Sequence, residues 1–138
     1  MAKIEPLNPA ELEWITGLTR SLREVGVPDD LGSVSTHFDQ QRRDWFALSQ
    51  DARSDPNPLI NAVGAFIGDL LVRECGLEWV LASDEYGTEA AVFGNPGDVL
   101  IYPMNMVAKR WQPDGGSLAE LVPAVIQGVR DAQRSASS

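Results

Sequence analysis

The sequence contains almost no cysteine and almost no histidine, since Cys75 and His37 are the single example of each. One cysteine excludes an internal disulfide and a cysteine-rich metal site, and it suits a reducing compartment. A zinc site or a nucleophilic triad at His37 would need carboxylates and Cys75 as partners. Cys75 also lies at a predicted helix C-terminus, where the dipole raises a thiol pKa. We therefore expect structural roles for both residues, no metal and no cofactor.

Long apolar runs and basic residues are also scarce. No stretch approaches the roughly 18 uninterrupted apolar residues that suggest a membrane span, and the N-terminal "MAKIEPLNPAELEW" does not resemble a signal peptide. The chain has 11 basic and 20 acidic residues, which gives a formal net charge of -9. Such a surface repels phosphate backbones. We therefore expect a cytoplasmic protein that binds neither membranes nor nucleic acids.

Length and composition favour a single α+β domain over residues 1–138. With 43% hydrophobic and 22% charged residues, the chain resembles an ordinary globular protein, and its length suffices to bury a core. We predict a helical front half at 1–50 and a core at 58–133 made of a helix, a three-strand meander and a final helix. A stretch rich in turn-forming residues, "SQDARSDPNP", separates the two parts.

The front half is predicted to hold an extended arm and two helices. The arm covers residues 1–7. A capping pattern at Asn8, followed by Pro9 and Glu11, begins an amphipathic helix that ends near Val25. The second helix, at about 34–49, has fewer apolar anchors and a weaker pattern.

The central element of the prediction is a helix over residues 58–75. Asn57 and Pro58 begin it and Gly76 ends it. Apolar residues cover most of its circumference, which is typical of a helix buried on several sides. Gly64 and Gly68 lie on one stripe of this helix, although each glycine costs about 1 kcal/mol of helix propensity. We interpret them as a helix-packing stripe where the sheet or the first helix approaches closely; the alternative is a helix-pairing face between two copies of the chain.

Three short strands and a last helix complete the fold. The strands "LEWVLAS", "TEAAVF" and "DVLIYP" are separated by turn signals and should form an antiparallel meander. The segment "MNMVAKRW" fits either a strand extension or a short helix. The box "SLAE" begins a helix over about 118–133, with a kink or restart expected at Pro123 and disorder in the tail "RSASS". The predicted fold is α+β: a three-stranded antiparallel sheet packed against a central buried helix and a C-terminal helix, preceded by two N-terminal helices.

The most suggestive polar cluster is "SDEYGTE" at residues 83–89. It places Asp84, Glu85 and Glu89 around a hairpin tip, with Tyr86 between them. Carboxylates on a loop can act as acid and base, or bind a hard cation. Asp and Gly are also the residues that tight turns require. A turn without further function, a protein-binding edge and a catalytic pair therefore all fit this pattern.

Trp111 is the tryptophan most expected to contact a partner. It follows Lys109 and Arg110 and precedes a turn, so we predict that it is at least partly exposed. Exposed aromatic side chains are common in binding hot spots.

Two stretches carry a resemblance to a known family. They are "GAFIGDLLVRECGLEWVLASDEYGTEAAVF" and "VLIYPMNMVAKRW". Together they resemble a family of small bacterial domains of unknown function, with a glycine-bearing helix, a tryptophan strand, an acidic hairpin, and a strand that ends in proline before a Lys-Arg pair. The resemblance covers about residues 59–130. It supports the order of elements and implies no activity.

Three functions are compatible with these features. The first is a non-enzymatic protein-binding module, for example an immunity or adaptor protein that meets a basic partner, or a homodimer. Its candidate binding residues are Asp84, Glu85, Tyr86, Glu89 and Trp111. The second is a small hydrolase-like enzyme that uses the acidic hairpin. The third is a domain that senses a ligand or metal, either at that hairpin or in a cleft between the helical front half and the sheet.

Overall fold

The computed structural model describes residues 2–137 and has an α+β fold. The predicted fold class is confirmed. Met1 of the predicted arm and Ser138 of the predicted tail lie outside the described residues. The described part contains four strands and five α-helices. A short 3-10 helix, Gln50–Ala52, lies between the second and the third α-helix. In chain order they are β1 (Lys3–Pro6), α1 (Pro9–Glu24), α2 (Leu31–Ala47), α3 (Asn57–Cys75), β2 (Glu78–Asp84), β3 (Gly87–Gly94), β4 (Val99–Ile101), α4 (Pro103–Ala108) and α5 (Leu118–Ser137).

The sheet has four strands in the order β1-β2-β3-β4, and every neighbouring pair is antiparallel. The three predicted strands are present, and the N-terminal arm adds the fourth. Ile4 pairs with Ala82 and packs with the buried residues Val80 and Ala91 on one face of the sheet. The strand was not foreseen because Ile4 is the only aliphatic side chain between Lys3 and Pro6, which is too few for an alternating pattern.

Helix α3 is the centre of the core, and all residues from Ala62 to Gly68 are buried. It contacts the other four helices and the sheet. Gly76 ends the helix in the left-handed conformation, with φ of 67°, as its position in the sequence suggested. The start differs by one residue. Asn57 is already helical, and its N–H donates to the Asp55 carboxylate at 3.0 Å, so Asn57 does not cap the helix with its own side chain.

Helices α2 and α4 refine the prediction. Helix α2 begins at Leu31, three residues early, because the Asp30 side chain accepts the N–H of Ser33 at 2.7 Å and caps it. The ambiguous segment after β4 is the short helix α4, with Pro103 in its first turn.

Helix α5 differs more from the prediction. Of the kink or restart predicted at Pro123, the restart does not occur, because the helix continues past Pro123 without interruption. The helix also includes residues Arg134 to Ser137 of the tail that was expected to be disordered. Side-chain bonds hold this end: the Gln133 amide donates to the Cys75 carbonyl at 2.8 Å, and Arg134 pairs with Asp131. Across residues 2–137, no helix has the length and apolar character needed to span a membrane.

Candidate functional site

The β2–β3 hairpin exposes the acidic residues that the sequence singled out. Asp84, Glu85, Tyr86 and Glu89 are all exposed, and Tyr86 is 90% exposed. Asp84 has a clear structural role, because its Oδ1 accepts the N–H of Tyr86 at 2.8 Å and closes the turn. The side-chain carboxylates of Glu85 and Glu89 form no hydrogen bond or ion pair with any residue between 2 and 137. Their carboxylates are available to another molecule.

One edge of β3 has no neighbouring strand over most of its length. Strand β2 pairs with β3 from Gly87 to Phe93, whereas β4 pairs only with Val92, Phe93 and Gly94. We call the segment Gly87–Ala90 the open edge of β3, because in the described part of the chain no strand pairs with its outer side and its residues are exposed or half-buried, whereas the next residue, Ala91, is fully buried. Such an edge presents N–H and C=O groups that another strand can pair with.

A cleft lies on one face of the sheet beside the open edge. It has a volume of about 460 Å³ and lies between helix α1, helix α3 and the face that carries Leu81 and Ala90. Trp14, which is 49% exposed, lines this cleft, so we call it the Trp14 cleft. Its other lining residues include Leu7, Glu11, Asn61, Thr88, Glu89 and Met104. The lining is mostly apolar with a few polar groups, as in many ligand pockets.

A second cleft lies beside the open edge and includes the opposite face of the sheet, where Ala82 and Glu89 form a cross-strand pair. It has a volume of about 330 Å³, and we call it the Tyr102 cleft. Asp84, Tyr86 and Asn105 also line it. Burial raises the pKa of the Tyr102 phenol, and the negative charges of Asp84 and Glu89 raise it further. The electrostatic potential in the Tyr102 cleft is therefore negative.

The structure brings some of the predicted site residues together and separates others. Asp84, Tyr86 and Glu89 share the Tyr102 cleft, whereas Glu85 lines a different shallow pocket with Ala2 and Ser83. Trp14 was missed as a site residue. The sequence contained only a weak signal for Trp14. This residue lies outside the stripe of α1 that contains the buried residues Ile15 and Leu22, and an aromatic residue on the more exposed side of a helix was the one available indication.

The prediction that Trp111 is partly exposed is wrong. It is 8% exposed and packs edge-on against Phe38 and Trp45, with ring centroids 5.4 and 5.7 Å away. The charged neighbours Lys109 and Arg110 suggested a surface position, but the chain after α4 turns the indole into the core. Trp111 therefore offers no surface to a partner in this conformation.

The two glycines of the α3 stripe lie against other parts of the same chain. A Cβ on Gly64 would come within 2.7 Å of the Met104 Cα, and a Cβ on Gly68 would overlap the Trp79 ring. Trp79 belongs to the sheet, so the sheet approaches Gly68 closely, as predicted. The element that approaches Gly64 is helix α4, and not the first helix, which was the predicted alternative.

His37 and Cys75 lie outside both clefts. His37 is half-buried on α2. Cys75 is buried at the end of α3, and burial raises the pKa of its thiol, with Glu74 raising it and Arg130 lowering it by smaller amounts. Between residues 2 and 137, no group of three or more His, Cys, Asp or Glu side chains is placed to hold a metal ion.

Comparison with known protein families adds a classification. A family described as a domain of unknown function (DUF3806) matches residues 41–118, which is more than half of the chain. The chain belongs to this family. The match confirms the resemblance to a family of domains of unknown function, although it begins before the expected residue 59 and ends at the start of α5. No curated protein and no solved structure gives a significant match.

The DUF3806 segment contains most of the candidate site. It includes the hairpin, the open edge and the Tyr102 cleft, together with Asn61 and Met104 of the Trp14 cleft. Trp14 and Glu11 lie before the matched residues. The front half of the chain therefore completes a cleft whose other wall belongs to the family domain.

Proposed function

We propose that this DUF3806 protein is a non-enzymatic protein-binding module that meets a basic partner through the β2–β3 hairpin. One observation carries the proposal. Two exposed aromatic side chains, Trp14 and Tyr86, line the clefts on the two sides of an unpaired strand edge, and carboxylates surround that edge.

The chemistry of this surface suits a basic partner. Aromatic residues are the usual anchors of protein interfaces. The carboxylates of Glu85 and Glu89 are unpaired in the described structure, and the whole chain carries a net charge of -9. Complementary charge increases the rate of association and fixes the partner's orientation. An immunity or adaptor protein that recognises a basic partner would bind it through a surface of this kind.

The first prediction tests the hairpin as a binding surface. We expect the purified protein, used as bait in an extract of its source organism, to recover one or more basic proteins. The triple variant Asp84→Asn, Glu85→Gln, Glu89→Gln should lose them, because it removes three of the carboxylates that attract a basic partner. Quantitative mass spectrometry of the eluates measures this loss.

A second triple variant is the matched control. Glu13→Gln, Glu24→Gln and Asp29→Asn remove the same charge from exposed positions outside both clefts. The control should recover the same proteins as the original chain. Equal recovery by both triple variants, or no protein above background with the original chain, would contradict the proposal.

A small-molecule ligand in the Trp14 cleft is the second candidate function. The volume of about 460 Å³ and the mixed lining support it. The second prediction is that a compound from a metabolite panel raises the melting temperature: at 100 times its Kd a ligand adds about 2.7 kcal/mol, or roughly 8 °C for a domain of this size. Trp14→Ala should abolish the shift and Leu48→Ala, at another exposed apolar site, should preserve it. A panel without any shift would count against this candidate.

A further inference from the structure

Strand β1, at one edge of the sheet, and the open edge of β3 differ in how they resist pairing with another strand. Strand β1 carries Lys3, Glu5 and Pro6, and charged residues and proline are the usual means of protecting an edge. The open edge of β3 has one charged residue, Glu89, and neither proline nor lysine between Gly87 and Ala90. It therefore has fewer protecting residues than β1.

We infer that the open edge of β3 binds an extended segment of a basic partner protein as an added strand. This inference rests on the proposed function and specifies how the partner binds. Main-chain hydrogen bonds to a sheet edge supply affinity in such complexes, and pockets for alternate side chains supply specificity. The open edge, Gly87–Ala90, has four residues, so it can pair with about 13 Å of extended chain.

The positions of the two clefts match the way in which side chains alternate along an added strand. Successive side chains of a strand point to opposite faces of the sheet. The cross-strand pair Leu81–Ala90 marks the face of the Trp14 cleft, and the pair Ala82–Glu89 marks the face that the Tyr102 cleft includes. An added strand thus directs every second side chain towards Trp14 and the others towards Glu89. The favoured segment alternates apolar residues with lysine or arginine.

Charge determines which chain occupies the edge. A second copy of this protein would bring its own Glu89 and hairpin carboxylates to the same edge, and each copy has a net charge of -9. Like charges on neighbouring strands destabilise a sheet. A basic segment places opposite charges there instead, so the occupant is a partner protein and not a second copy.

The third prediction uses fluorescein-labelled peptides of about eight residues, which is enough to cover the edge. We expect a peptide of alternating lysine and valine to bind about tenfold more tightly than an isomer with all lysines before all valines. A peptide of alternating glutamate and valine should not bind. The backbone amides of the alternating lysine–valine peptide can be N-methylated at either the odd-numbered or the even-numbered residues. One of these two modified peptides should not bind and the other should, because only one of the two sets of amides faces β3. Fluorescence anisotropy measures each affinity.

Variants of the protein test where on its surface the peptide binds. Glu89→Gln should weaken binding of the lysine–valine peptide by about fivefold, whereas Glu13→Gln, outside both clefts, should not. Trp14→Ala should weaken it and Leu48→Ala should not. The backbone amide resonances of Gly87 to Ala90 should shift on titration in a two-dimensional NMR spectrum.

The outcomes separate this inference from the proposed function. If the peptide binds at the hairpin but both N-methylated sets bind equally, strand addition is wrong and the binding surface stands. If no basic peptide binds and no basic protein is recovered from the extract, both proposals are wrong. Concentration-dependent dimerisation that protects the amides of Gly87 to Ala90 from exchange would identify a second copy as the occupant and overturn the inference.

Discussion

Replacing Arg42 with methionine should lower the free energy of unfolding by about 2–3 kcal/mol. Arg42 is only 8% exposed, and its guanidinium joins three separate groups. Nη1 donates to the carbonyl oxygens of Arg110 and Gly116 at 2.8 and 3.1 Å, and Nη2 donates to Asp39 at 3.2 Å. Methionine retains most of the apolar stem but leaves these acceptors without their donor, which is the costly part of the change.

The position of Arg42 explains why one side chain has so large an effect. It connects α2 to the segment that links α4 to α5, and Trp111 packs in the same segment against Phe38. The DUF3806 match begins at residue 41 and ends at 118. Arg42 therefore joins the two ends of the family domain.

Urea denaturation of the matched pair Arg42→Met and Arg43→Met tests this prediction. Arg43 is exposed, and among residues 2–137 its guanidinium donates only to Gln40, one turn away on the same helix. The Arg43 variant should change the free energy of unfolding by no more than about 0.5 kcal/mol. A loss below about 1 kcal/mol at Arg42 would show that water replaces its hydrogen bonds and that the connection does not depend on it.

The sequence was most informative where a signal is local. Helix α3 has a proline in its first turn, a left-handed glycine after its end and apolar residues around its circumference, and each of these depends on neighbours within the helix. The β2–β3 hairpin was similarly marked by "DEYG". Both elements lie where they were expected, because their patterns record backbone geometry and burial directly.

Contacts between distant segments were not visible in the sequence. Strand β1 exists because Ile4 meets Ala82, 78 positions away, and nothing within residues 3–6 announces that pairing. The orientation of Trp111 depends on Phe38 and Trp45 in α2. The Trp14 cleft likewise requires α1, which packs against α3, to lie near Leu81 and Ala90 of the sheet. The hairpin half of the candidate site could be predicted, whereas the clefts beside it required the three-dimensional structure.

Replacing Gly68 with alanine is the other change with a large expected effect. In an exposed helix this substitution gains about 1 kcal/mol. At Gly68 the new Cβ would overlap Cζ2 and Cη2 of Trp79. The indole cannot turn away freely, since its Nε1 donates to Asp69 at 2.9 Å. Because overpacking of this kind exceeds the gain in propensity, we expect a net loss of about 2 kcal/mol in the free energy of unfolding.

Two comparisons assign that loss to the Trp79 contact. Gly128 in α5 has no atom within 4 Å of an added Cβ, so Gly128→Ala should stabilise the protein by up to about 1 kcal/mol. A double-mutant cycle with Trp79→Leu provides the second, because the smaller side chain leaves room for the methyl group. In that background Gly68→Ala should cost much less than in the original chain. An equal cost in both backgrounds would mean that the glycine is required for some reason other than the close approach of the indole.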